Sequence, residues 1–149
     1  ARGEPMSPTQ FGLSVHNAIA ALYSIVRGQR GNYLALAAGK ATAAAALVEA
    51  AGLLADGAPE VLVVVYDVCL PEAYAGFADE VQADFAWCWR VRLDGEGSRL
   101  SLDWQAAMDD VAIAAPLPAS LDVLRFLLAG GAAFTQMVDG LRWHWQRHD

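Results

Sequence analysis

Residues 39–42 read Gly-Lys-Ala-Thr at the join between a short apolar run and an alanine-rich stretch, where phosphate-binding loops carry their lysine. Such a loop needs a glycine five residues before Gly39 and a hydroxyl residue directly after the lysine. The chain has Leu34 and Ala41 at those places, so the phosphate-loop reading fails. Lys40 itself still needs an account. A lysine in the first turn of a helix meets the positive end of the helix dipole, a disfavoured placement by about 0.3–1 kcal/mol. Stability therefore does not explain it. Three readings stay open: a side chain snorkelling to water, an amine of lowered pKa acting as base or nucleophile, and a cation binding an anion or filling a pocket.

The other chemical side chains form no constellation. Cys69 and Cys88 make neither a disulfide framework nor a zinc site. Cys69 follows a predicted buried strand and is a nucleophile candidate with no base nearby in sequence, whereas Cys88 sits between two tryptophans and reads as packing. His16, His144 and His148 lack metal-ligand spacing, so no metal site is expected, and no cofactor motif is found. Asn17 is a polar residue inside a predicted helix and needs a hydrogen-bond partner. Arg27 and Arg30 flank a glycine turn, which suits a solvated turn or an anionic partner.

Composition narrows the classes. At 149 residues the chain can bury a core, and 56% of its residues are hydrophobic. Residues 41–58 are the longest apolar stretch, but Glu49, Gly52 and Asp56 break it before the roughly 20 residues of a membrane span. The net charge of −7, with no basic block, argues against nucleic-acid binding. Two unpaired cysteines and no visible signal peptide suit a reduced, cytoplasmic setting. The chain opens on Ala1 rather than Met, which points to a segment of a longer protein.

The elements that must position Lys40 follow from periodicity. Residues 1–10 carry Pro5 and Pro8 and read as a loop. Helical spacing of Val15, Ile19, Leu22 and Val26 predicts a helix over 11–26, with Ser14 as its N-cap and Gly28 and Gly31 as its stop. Residues 33–37 predict a short strand, Gly39 a tight turn and 41–56 a helix. The β-branched run 61–66 predicts a strand buried on both faces, so strand, helix and strand form a βαβ unit with parallel strands. Alternation over 85–93, the loop 94–97 and the run 99–104 predict an antiparallel hairpin. Pro116 and Pro118 introduce a helix over 120–128, followed by a short helix and a final amphipathic strand over 141–146.

The run from Met6 to Gly31, with a Ser-Pro turn, Asn17 in a helix, and Gly28 and Gly31 closing it, resembles the segment before the nucleophile of β-ketoacyl-carrier-protein synthases. Residues 33–37 then resemble the family's short strand, 41–56 its long buried helix and 61–66 the strand after it. The resemblance covers about residues 6–67. It implies half of a thiolase-like fold: a three-layer α/β/α arrangement with a βαβ core, a β-hairpin extension and a carboxy-terminal helix and strand. It also implies one ketosynthase-like amino-terminal domain over 1–149, with a further strand and helix upstream of Ala1.

Counting back from Gly57 without gaps puts Lys40 at the family's cysteine position. Neither cysteine takes that place, and nothing matches the two histidine motifs. The implied catalytic set is therefore empty, and Gly39, Lys40, Thr42 and Asn17 become the expected lining of a remnant pocket. The resemblance further implies a non-catalytic partner or scaffold subunit in fatty-acid-like, polyketide or aryl-polyene biosynthesis. Such a subunit would pair with itself or with an active ketosynthase, with acyl carrier protein as a further partner. Tyr33, Leu34, Ala35, Leu36 and Ala37 are the implied dimer interface. Two other functions remain open: an acyltransferase or hydrolase using Lys40 or Cys69, and an acyl or carrier-protein binding module.

Overall fold

The computed structural model describes residues 7–107 and 116–148, in two compact units, Ala1–Ala37 and Ala38–Asp149. The expected loop over 1–10 lies mostly outside the described residues. Within the first unit the single expected helix is two: α1 (Pro8–Leu13) and α2 (Ala18–Arg27). Pro8 stands in the first turn of α1, where its missing N–H costs nothing. Ser14 is not an N-cap. Its hydroxyl donates to the Phe11 carbonyl at 2.8 Å and helps end α1, so the chain restarts only after Asn17. Gly28, at φ 63°, ends α2 as expected, in the left-handed conformation glycine tolerates best.

Residues 33–37 form no strand, which corrects the expected first arm of the βαβ unit. A strand exists only by pairing, and no described neighbour offers them a ladder.

The second unit begins with α3 (Thr42–Ala55), close to its expected bounds. Alanine favours the helix, and the small side chains let it approach other elements closely: Ala43, Ala44 and Ala50 are almost fully buried. After it come β1 (Val61–Asp67) and β2 (Phe85–Val91), paired antiparallel with Val63 opposite Trp89 and Val65 opposite Trp87. Here two expectations fail. The partner of β1 is an antiparallel strand, and among the described residues no parallel pair of strands flanks α3. Only Val63 and Val65 of β1 are buried, while Leu62, Val64 and Tyr66 are exposed. A β-branched run is buried on both faces only where both are covered, and α3 covers one.

β3 (Arg99–Ala106) forms where expected but does not pair with β2. It joins β4 (Ala133–Val138) and β5 (Leu141–His148) in an antiparallel sheet of order β3-β5-β4. The expected hairpin thus becomes a crossing between sheets, with Gly95 and Gly97 at φ 139° and 135° turning the chain. The side chains explain the exchange. Leu102 and Phe134 lie beside Trp145, and Trp104 and Gln136 beside Trp143, so one face of the sheet is largely apolar. Its other face carries Asp103, Thr135, His144 and Gln146. The expected short helix before the last strand is β4. Asp139 and Gly140, both at positive φ, make the two-residue turn of the β4–β5 hairpin.

α4 (Ala119–Ala129), capped by left-handed Gly130, completes the core. Ala43 and Ala44 of α3, Val123 and Phe126 of α4, and Val138, Trp143 and Trp145 form one buried cluster. Ala50, Val63 and Val65 form a second on the β1 side of α3. The α/β class is as expected, and no helix among the described residues is long and apolar enough to cross a membrane.

Candidate functional site at the start of α3

The turn before α3 is built from its own backbone. Gly39 sits at φ 55°, which an L side chain adopts only under strain. The Thr42 hydroxyl accepts the Ala38 N–H at 3.0 Å and donates to the Gly39 carbonyl at 2.6 Å. The Ala41 and Thr42 N–H groups return to the carbonyls of Ala38 and Gly39. Thr42 is thus spent on the turn. Lys40 lies within it, half-buried, and among the described residues its ammonium makes no hydrogen bond or ion pair.

Two acidic residues that sequence reasoning missed flank this turn. The Asp139 carboxylate reaches Gly39 from the β4–β5 turn, with Oδ2 3.3 Å from where a Cβ on Gly39 would stand. Asp139-Gly140 between alternating apolar residues was a legible hairpin signal. Glu80 comes from the long β1–β2 connection. Its Oε2 accepts the Ala119 N–H at 2.6 Å and so caps the first turn of α4. Burial pushes the Glu80 carboxyl above the usual range; the Ala119 N–H and the Lys40 charge pull it down, Asp79 and Asp67 push it further up. No local pattern announced it. Glu80, Gln82 and Asp84 alternate, and each accepts a backbone N–H from another segment, those of Ala119, Leu70 and Cys69. These side chains stand in for a ladder and hold the connection down.

Two carboxylates and one ammonium thus lie near one another at this turn, and among the described residues neither cysteine belongs to it. Cys69 is exposed, but the Asp84 carboxylate that its thiol faces raises its pKa, the opposite of activation. Cys88 is exposed on the outer face of β2, opposite Val64. His144 is held between the Thr135 hydroxyl and the Gln146 amide at 3.0 Å each, and His148 lies 2.8 Å from the Ser101 hydroxyl. Asn17 belongs to the first unit, where it precedes α2 without a side-chain cap bond. Among the described residues no three His, Cys, Asp or Glu side chains gather as a metal site.

Fold and turn together define an α/β domain of the ketosynthase kind, with a glycine-led turn opening a buried helix. Residues 1–146 match the family described as beta-ketoacyl synthase, N-terminal domain, and the chain belongs to that family. The match extends well beyond the 6–67 legible by resemblance. The chain is also similar to one in a solved structure, a ketosynthase (ApeO) in complex with its chain length factor (ApeC) from Xenorhabdus doucetiae. Identity is 30% and the TM-score 0.82, over 97% of this chain and 59% of that one. The fold is therefore half of a ketosynthase, and the chain spans about three-fifths of the solved chain's length. No curated protein matches it.

Proposed function

We propose that this chain is a non-catalytic β-ketoacyl synthase-like domain that serves as a partner subunit of a ketosynthase in a fatty-acid-like, aryl-polyene type of pathway. What supports the reading is the gap-free count back from Gly57, by which Lys40, in the turn that opens α3, takes the position of the family's cysteine. Condensation needs a thiolate to hold the acyl group as a transferable thioester and imidazoles to support decarboxylation. An amine would form an amide instead, from which the chain does not move on. The likeness to a chain of a ketosynthase–chain length factor complex supports a role in pairing. Residues 33–37, with Tyr33 and Leu34 exposed, are the proposed contact with a ketosynthase or a second copy, and acyl carrier protein is a further partner. The setting is the cytoplasm, where Cys69 and Cys88 stay reduced. The Asp84-raised thiol of Cys69 speaks against an acyltransferase built on that cysteine.

Co-purification of the tagged full-length protein from its native host tests this. A cysteine-bearing ketosynthase should come down in near-equal amount, and Tyr33→Asp with Leu34→Asp should abolish it. Recovery without any synthase, with an acyl group on Lys40 or Cys69, would overturn the reading.

A further inference from the structure

The β1–β2 connection, residues 68–84, keeps its place with little burial. Every residue over 66–79 is exposed, Val68, Tyr74 and Phe77 among them. What order it has is internal. The Asp84 carboxylate accepts the Cys69 N–H at 2.7 Å, and the Gln82 side-chain oxygen accepts the Leu70 N–H at 3.0 Å. These bonds tie the two legs of the connection together just beyond the last β1–β2 pair, Asp67 with Phe85. Between the legs a short 3-10 helix, Glu72–Phe77, closes the head, with the Tyr74 and Phe77 ring centroids 6.4 Å apart. Legs and head thus form one braced strap that continues the β1–β2 ribbon past its end.

A single bond joins this strap to the rest of the domain. Among the described residues no hydrogen bond or ion pair links 68–84 to another element except the one in which Glu80 Oε2 accepts the Ala119 N–H at 2.6 Å. Glu80 is also the first half-buried residue after the exposed run. Its carboxylate sits at the positive end of α4 and close enough to Lys40 for that charge to act on it. The other charges of the strap are Glu72, Asp79 and Asp84, with no basic residue, in a chain of net charge −7. They give it no second electrostatic hold. A segment with little buried surface and one tie opens at low free-energy cost, and a braced one moves whole.

We propose that residues 68–84 form a hinged strap, latched beside the Lys40 turn by Glu80 on the first turn of α4, that swings open as one piece about the end of the β1–β2 ribbon and exposes Lys40. The proposal needs no particular chemical role for Lys40 and does not depend on the chain's pairing with a ketosynthase.

Lys40 is the only lysine in the chain and is half-buried, so its acetylation by a short pulse of an N-hydroxysuccinimide ester reports opening. Mass spectrometry of the Lys40 peptide gives the rate. Glu80→Ala, shown to be folded by its urea midpoint, should speed acetylation roughly fivefold, the worth of one helix cap. Glu80→Gln keeps an acceptor for Ala119 and should stay within about twofold of wild type. Hydrogen exchange on the wild type needs no variant to fold. In urea well below the unfolding midpoint, Ala119 exchange and Lys40 acetylation should rise together, while the Cys69 and Leu70 amides, tied within the strap, exchange more slowly than Ala119. A wild-type acetylation rate in folded Glu80→Ala, or Lys40 reacting only on global unfolding, would overturn the proposal. So would Cys69 and Leu70 amides exchanging as fast as Ala119, because the strap would then come apart rather than swing.

Discussion

Asp139 and Gly39 meet at the turn that carries Lys40: the Asp139 Oδ2 lies 3.3 Å from the position a Gly39 Cβ would take, and both residues have positive φ. The tip of one hairpin thus rests on the turn that presents Lys40. Gly39→Ala should cost about 1–2 kcal/mol from its left-handed backbone alone, with the tight contact adding to it. Asp139→Gly should be neutral or slightly stabilising, since glycine suits φ 51°. In the double variant the contact is relieved and the backbone cost stays. A double-mutant cycle by urea unfolding checks this, with a coupling of about 0.5 kcal/mol or more expected.

Glu80 separates two roles. Its carboxylate caps α4 through Ala119, while burial raises its pKa. A carboxyl whose folded pKa is raised binds its proton more tightly in the folded state. Its contribution is therefore fully present below the unfolded pKa and is lost as pH rises through the folded one. Glu80→Gln keeps an acceptor for Ala119 and removes the buried charge. Its stability relative to wild type should rise from pH 4 to pH 7; Glu80→Ala removes the same titrating group and should follow the same slope, lying about 1 kcal/mol below Glu80→Gln at both for the lost cap. Urea midpoints at the two pH values decide it.

Exposure alone would make Cys69 reactive, but the Asp84 carboxylate opposes its ionisation. Iodoacetamide should alkylate Cys69 more slowly than a free model thiol at neutral pH, and Asp84→Asn should speed it. Mass spectrometry of the Cys69 peptide over time measures both rates.

Trp145 is fully buried at the centre of the main core, and its indole N–H has no partner. Trp145→Ala should cost about 3–5 kcal/mol, a large part of a domain's stability. Trp145→Phe should cost clearly less, because the group it removes makes no hydrogen bond. Denaturant unfolding of the two variants gives the comparison.

Local chemistry was legible where it acts locally. The alanine-rich helix, the strands at β1, β2, β3 and β5, the Gly28 and Gly130 stops and the glycine at φ 55° before Lys40 were all readable as residues. β4 was misread as a helix because Ala133 and Met137 suit either state, although Asp139-Gly140 carried the hairpin signal. The break at Ser14 was missed because apolar spacing runs through it, while the Ser14 hydroxyl and N–H both turn back to the Phe11 carbonyl there.

By itself the sequence determined α3, α4 and the strands β1, β2, β3 and β5, because propensity, alternation and turn residues act within a few positions. It also showed a lysine, and neither of the two cysteines, in the glycine-led turn before the alanine-rich helix. Which strands pair was decided only in the folded chain: β2 with β1, β3 with β5, and residues 33–37 with none. Pairing depends on which apolar faces can be buried together, and several partners satisfy the same alternation until α3, α4 and the tryptophans choose among them. The same long-range packing brought Glu80 and Asp139 to the two sides of the Lys40 turn, from positions forty and ninety-nine residues away.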